Sequence, residues 1–200
     1  MNGDHLASLK AEWFERFDRI VAISKATPSS DLKCIELCTQ RCCPRVDLRK
    51  WKSHEVTSSI VVLLPFEMEY LIEKTGASRE SFRRWPLDLT PDATIEIGMF
   101  DLGKVCPFLT ESLQCSIYEF YPLDCRTYPL LPVLNDHREL EWELSTTCPS
   151  RLLLNPKFGE TVKGMWQELK EVLPEAWWDL YAFADHWKGW PEPMEQQNAV

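Results

Sequence analysis

The sequence predicts an α+β fold: a helix-rich single domain with a short β element and a cysteine-bearing, irregular middle. Three observations lead there. Apolar residues recur at three- and four-residue steps near both ends of the chain. Two short runs further in alternate at every second residue. The eight cysteines of this 200-residue chain lie between the terminal helical patterns, in two groups, the second of them among prolines.

In order, residues 4–23 form the first predicted helix. Leu6, Leu9, Trp13, Phe17 and Ile20 share one face, with Lys10, Glu12, Glu15, Arg16 and Arg19 between them and Asp4 as N-cap. The stretch TPSS, residues 27–30, breaks that pattern. A second helix is expected from Ser30 to Cys43, because Pro44 disfavours helical geometry in the residue before it. PFEMEYLIEKT, residues 65–75, reads as a third helix with Pro65 in its first turn and Gly76 as its stop. SRESFRRW, residues 78–85, reads as a short fourth helix capped by Ser78. ATIEIGMF alternates at Ile95, Ile97 and Met99 and reads as a strand. Residues 106–134 hold three cysteines and several prolines and are expected to be mostly loop and short elements. ELEWELS alternates again at Leu140, Trp142 and Leu144. Residues 157–187 read as two helices parted at Pro174, each with tryptophan on its apolar face.

The expected organisation is an N-terminal helix (1–30), a cysteine-cluster domain (31–150) and a tryptophan-rich helical extension (151–200) packed on the same domain. With 44% apolar and 26% charged residues the composition is that of an ordinary globular protein. A net charge of −9 repels a nucleic-acid backbone at long range, so no nucleic-acid partner is expected, despite the local basic set Arg41, Arg45, Arg49, Lys50 and Lys52. No stretch approaches the roughly 20 apolar residues that cross a bilayer, and the N-terminus lacks an apolar signal core. The expected location is cytoplasmic, where thiols stay reduced and disulfides explain eight cysteines poorly.

The first group is CIELCTQRCC: Cys34, Cys38, Cys42 and Cys43. Steps of four keep the first three on one helical face, drifting about 40° each. They span more than about 10 Å over two turns, so an intact helix does not bring all three to one ion. The second group, Cys106, Cys115, Cys125 and Cys148, sits in loops, which bend around an ion more easily. Proline follows Cys43, Cys106 and Cys148, and a Cys-Pro step also closes the cysteine run of bacterial ferredoxins. Eight thiols match two four-thiolate sites by count, and one site with spare cysteines equally well. Tetrahedral thiolate ligation points to zinc or iron–sulfur. Ligand softness and the Cys-Pro steps place iron–sulfur ahead. The spacing is neither the C-x2-C knuckle of zinc ribbons nor the C-x3-C-x2-C of radical enzymes, since residue 41 is arginine.

The run ending in Cys42-Cys43-Pro44, followed by CPFLTESLQCSIYEFYPLDCRTYP at 106–129, resembles the YkgJ-type cysteine-cluster family, whose members are described as zinc- or iron-chelating. LLPFEMEYLIEKTG, residues 63–76, is similar to the helix which that family places between its two cysteine groups. The resemblance covers about residues 34–130. It implies a metal- or iron–sulfur-cluster-binding protein with the eight cysteines as its ligand set. The chain departs from the family in two places. Its first run has gaps of three where the family usually has C-x2-C-x2-C-C, and Tyr121 stands where an arginine often precedes the proline. Flagellin lysine N-methylases share the cysteine pattern, so a protein-modifying transferase acting on a protein substrate is the second reading. A zinc-stabilised interaction scaffold, whose tryptophan-rich tail recruits a protein partner, is the third.

Arg126 follows Cys125 directly, and two readings stand level. It neutralises a thiolate cluster or contacts an anion, or it forms an ordinary ion pair. Tyr118, Tyr121 and Tyr128 read as packing around the loops. His5, His54, His137 and His186 are scattered outside the cysteine runs and are not read as ligands. The nine tryptophans read mostly as core. No phosphate loop, dinucleotide fingerprint, nucleophile elbow or H-E-x-x-H motif occurs, and no catalytic residue is assigned.

Overall fold

The structure, a computed structural model, describes residues 3–27, 60–101, 106–111, 115–145 and 154–186. The long first helix α1 (Gly3–Ala26) leads the chain. Strand β1 (Ile60–Val62) comes next. Helix α2 (Glu67–Thr75) ends at Gly76, whose left-handed φ of 70° lets its N–H reach the Ile72 carbonyl. Strands β2 (Arg83–Thr90) and β3 (Ala93–Asp101) form a hairpin. The one-turn helix α3 (Leu123–Thr127) precedes a second hairpin, β4 (Leu130–Leu134) and β5 (Leu140–Leu144). Helices α4 (Pro156–Lys170) and α5 (Glu175–His186) close the described chain.

This is the expected α+β class. The first, third and two C-terminal helices stand where their apolar spacing put them. The second, from Ser30 to Cys43, lies outside the described residues. Strand content exceeds the two alternating runs. The helix expected over 78–85 is instead a single 3₁₀ turn, Arg79–Ser81, followed by β2. Trp85, Leu87 and Leu89 alternate toward the core there, and Leu87 lies opposite Ile95. The order of the three-stranded sheet, β1-β3-β2, leaves β2 at an edge, where Pro86 is tolerated.

Both faces of this sheet are covered, and the alternation of side chains decides which cluster each residue enters. Val62, Ile95, Ile97 and Met99 face the main core, built with Trp13, Phe17 and Ile20 of α1 and with Phe158, Val162, Trp166, Trp177 and Trp178 of α4 and α5. Val61 and Phe100 face a second, smaller cluster with Leu63, Met68, Leu71, Phe82, Phe108 and Ile117. Helix α2 approaches β3 closely at Gly98: an added Cβ there meets Leu63 Cδ1 at 2.9 Å and Met68 Cβ at 3.1 Å. In the sheet, Ile60 at the start of β1 pairs with Asp101 at the end of β3.

Trp166 and Trp177 are almost fully buried. Each removes on the order of 200 Å² from water, worth up to about 5 kcal/mol before the entropy of ordering it. The C-terminal helices are therefore part of the core. They are tied further by the Arg138–Asp179 pair at 2.9 Å, which joins the β4–β5 turn to α5. Among the described residues no helix is long and apolar enough to cross a membrane.

Candidate metal centre

Cys106, the first of the second cysteine group, follows the end of β3 in sequence. The Leu109 N–H donates to the Cys106 carbonyl at 3.0 Å, turning the chain. Leu109 then pairs with Cys115 in an antiparallel bridge, and the Ser116 N–H reaches the Phe108 carbonyl at 2.8 Å. Cys106 and Cys115 thus stand on the two arms of one small loop. Apolar residues within and just after this stretch explain its position. Phe108 is buried with its ring 5.4 Å from both Phe82 and Phe100, and Ile117 is buried beside it. Two further turns lead into α3, which carries Cys125. Cys106 is buried in the second cluster, and the half-buried Cys115 and Cys125 pack against it. Three thiols from three separate turns border one cluster.

Arg126 follows Cys125 and is only 6% exposed. Its guanidinium donates to the Glu119 carbonyl at 2.8 Å and lies 4.3 Å from the centre of the Tyr121 ring. Burial pulls it below its ordinary range, while Tyr121, Glu67, Tyr70 and Cys125 act the other way. Tyr121 stacks on Tyr118 with ring centres 5.2 Å apart, and Tyr118 is 57% exposed. Burial pushes the Tyr121 phenol up to about 12, against the opposing pull of Arg126. Arg126 thus places a positive charge, held out of water, within electrostatic reach of Cys125.

Beneath α3 lies a residue that sequence reasoning passed over. Glu67, the first residue of α2, is 4% exposed. One carboxylate oxygen accepts the Leu64 N–H at 2.9 Å and the other the Leu123 N–H at 2.8 Å. Burial raises its pKa to about 7, while the two backbone hydrogen bonds and Arg126 lower it and Asp124 raises it. The available signal was one acid set inside the apolar run VVLLPFEM. On the other side of α3, Asp124 accepts a hydrogen bond from the Tyr181 hydroxyl of α5 at 3.0 Å.

Of the sequence-derived site residues, the structure brings Cys106, Cys115, Cys125 and Arg126 to one neighbourhood. Cys34, Cys38, Cys42, Cys43 and Cys148 lie outside the described residues, as does His54. His5 and His137 are exposed. Tyr118 and Tyr121 form the stack described above, and Tyr128 shares a hydrogen bond with Ser145 at 3.0 Å. Among the described residues no three His, Cys, Asp or Glu side chains come together closely enough to hold an ion. The three thiols suit a soft metal in chemistry and border one cluster, and a complete ligand set needs donors from the rest of the chain.

The family model CxxCxxCC, "Putative zinc- or iron-chelating domain", matches residues 33–149. The chain belongs to this family. The match spans both cysteine groups and the β2–β3 hairpin between them. As a CxxCxxCC protein it spaces its first run differently from the family's title, with three residues rather than two in each gap. No curated protein and no solved structure matches the chain.

Proposed function

We propose that this CxxCxxCC protein is a cytoplasmic metal-binding protein whose occupant is an iron–sulfur cluster, with zinc as the alternative, and that neither nucleic acid nor membrane is its partner. The ligand set is Cys34, Cys38, Cys42, Cys43, Cys106, Cys115, Cys125 and Cys148. The observation that carries the reading is that Cys106, Cys115 and Cys125 all border one buried apolar cluster, inside a region matched by a metal-chelating family. The buried Arg126 supports a negatively charged occupant, because clustered thiolates repel one another and a desolvated guanidinium offsets that repulsion. Residues 31–150 form the metal-binding unit, with the first helix and the C-terminal extension as its supports.

An iron–sulfur cluster supplies one-electron chemistry, whereas zinc held by four thiolates supplies folding energy. The chain's own residues hold the occupant, balance its charge and shield it behind Phe108 and Ile117. The test is purification without oxygen, followed by iron, zinc and acid-labile sulfide per chain and a visible spectrum. Iron and sulfide in near-equal amounts with brown absorption are expected. Zinc without colour makes the cysteines structural. A metal-free protein with a full complement of folded structure refutes the reading.

A further inference from the structure

We infer that Glu67 is a positioning residue for the thiolate site, its carboxylate fixing the one-turn helix that carries Cys125 and Arg126 to the rigid segment after β1. The inference rests on the metal-binding reading above.

The two groups bridged by Glu67 differ in how firmly the rest of the fold holds them. Leu64 belongs to a segment locked from several sides. The Leu63 N–H donates to the Gly98 carbonyl at 3.0 Å, the Leu63 carbonyl accepts from Trp177 Nε1 at 2.9 Å, and both leucines are almost fully buried. Leu123 opens α3, a helix of five residues. A single turn has little stability of its own, so tertiary contacts decide where it sits. Its first N–H has no partner within the helix, and Glu67 Oε1 supplies one. Cys125 and Arg126 follow in the same turn.

The residue type is informative. Burying a carboxylate is unfavourable, and an apolar side chain or glutamine is easier to bury. A carboxylate alone accepts from two N–H donors at once, one on each oxygen. Glutamine offers one acceptor oxygen and turns an NH₂ group toward the other donor. The bridge from Leu64 to Leu123, which lies 56 residues beyond Glu67 itself, therefore calls for an acid at position 67.

The experiment compares the full-length wild type, Glu67→Gln and the core variant Val162→Ala, chosen because Val162 is buried in the main core away from the thiols. All are purified without oxygen. Two quantities are read at matched distance below each melting temperature: the rate of iron or zinc loss to a chelator, and amide hydrogen exchange across residues 120–128. Glu67→Gln is expected to release metal at least tenfold faster than wild type and to exchange faster at Leu123 and Arg126, while Val162→Ala matches wild type on both. Equal behaviour of the two variants, or faster exchange without faster release, overturns the inference. If Glu67→Gln does not fold, wild-type exchange decides: an unprotected Leu123 amide overturns it, and a protected one supports it. A wild type holding neither iron nor zinc refutes the metal-binding reading instead, and exchange then decides whether Glu67 holds α3.

Discussion

The indole Nε1 of Trp177 donates to the Leu63 carbonyl at 2.9 Å, inside the core and across 114 residues of chain. The neighbouring Trp178 is also buried, but its Nε1 has no hydrogen-bond partner among the described residues. The two tryptophans therefore differ in one bond. Trp177→Phe is expected to cost about 1–3 kcal/mol more than Trp178→Phe, because it leaves a buried carbonyl unsatisfied. Paired urea melts measure the difference, and equal costs rule out a contribution from the bond.

The same contact bears on removal of the C-terminal part. A chain ending at Asn155 lacks Trp166, Trp177 and Trp178, all buried in the main core. It is expected to lose cooperative unfolding altogether, seen as a flat near-ultraviolet signal on heating. A sharp transition in that fragment shows that the core closes without α4 and α5.

Gly98→Ala is expected to destabilise by about 1–3 kcal/mol, since the new methyl enters the space of Leu63 and the Met68 side chain. A thermal melt checks this, and an unchanged midpoint means that α2 can shift away from β3 at little cost.

Glu67 predicts a pH dependence. Its folded pKa is raised from 4.5 to about 7, so between these values the folded state holds the extra proton. Stability contributed by that proton is complete below about 4.5 and is lost as pH rises through about 7. The full effect is about 3 kcal/mol. The advantage of wild type over Glu67→Gln should shrink by that amount from pH 4.5 to pH 8, as read from denaturant melts. A constant difference means that Glu67 does not change its protonation in this window.

Cys125→Ala is expected to lose bound metal and to lower the melting temperature, because the remaining thiolates are left under-coordinated. Elemental analysis with a melt decides. Full metal content and an unchanged midpoint remove Cys125 from the ligand set.

Arg126→Lys keeps the charge but not the planar fork that reaches the Glu119 carbonyl and covers Tyr121. A loss of about 2 kcal/mol is expected from calorimetry. A neutral result means that lysine finds equivalent partners.

How much of this was legible in sequence depends on which local signal dominated. Trp13, Phe17 and Ile20, and likewise Phe158, Val162 and Trp166, repeat at helical spacing, and their helices were read correctly. Ile95, Ile97 and Met99 alternate cleanly, and so did their strand. Strand β2 was hidden because Ser78 resembles an N-cap and Phe82 and Trp85 stand three apart, while the alternation of Trp85, Leu87 and Leu89 was interrupted by Pro86. Strand β4 was obscured by Pro132. That Cys106, Cys115 and Cys125 border one apolar cluster could not be read from their spacing; the resemblance of their block to a known family implied only that they belong to one set of ligands. Glu67 was not found, because an acid in the first turn of a helix looks like an ordinary dipole partner until the fold buries it.

The pairing of Ile60 with Asp101 has a consequence for how an ion finds its ligands. Ile60, which follows the first cysteine group in sequence, starts the strand that pairs with β3, and Cys106 follows β3 in sequence. Forming the sheet brings positions 60 and 101 together, so the entropy of closing that stretch of chain is a cost of folding and not of ligand binding. On the metal-binding reading proposed above, cysteines from the two sides of this pairing would search for one another at a raised effective concentration. That reading makes folding of the sheet and loading of the metal successive events, the first lowering the entropic cost of the second.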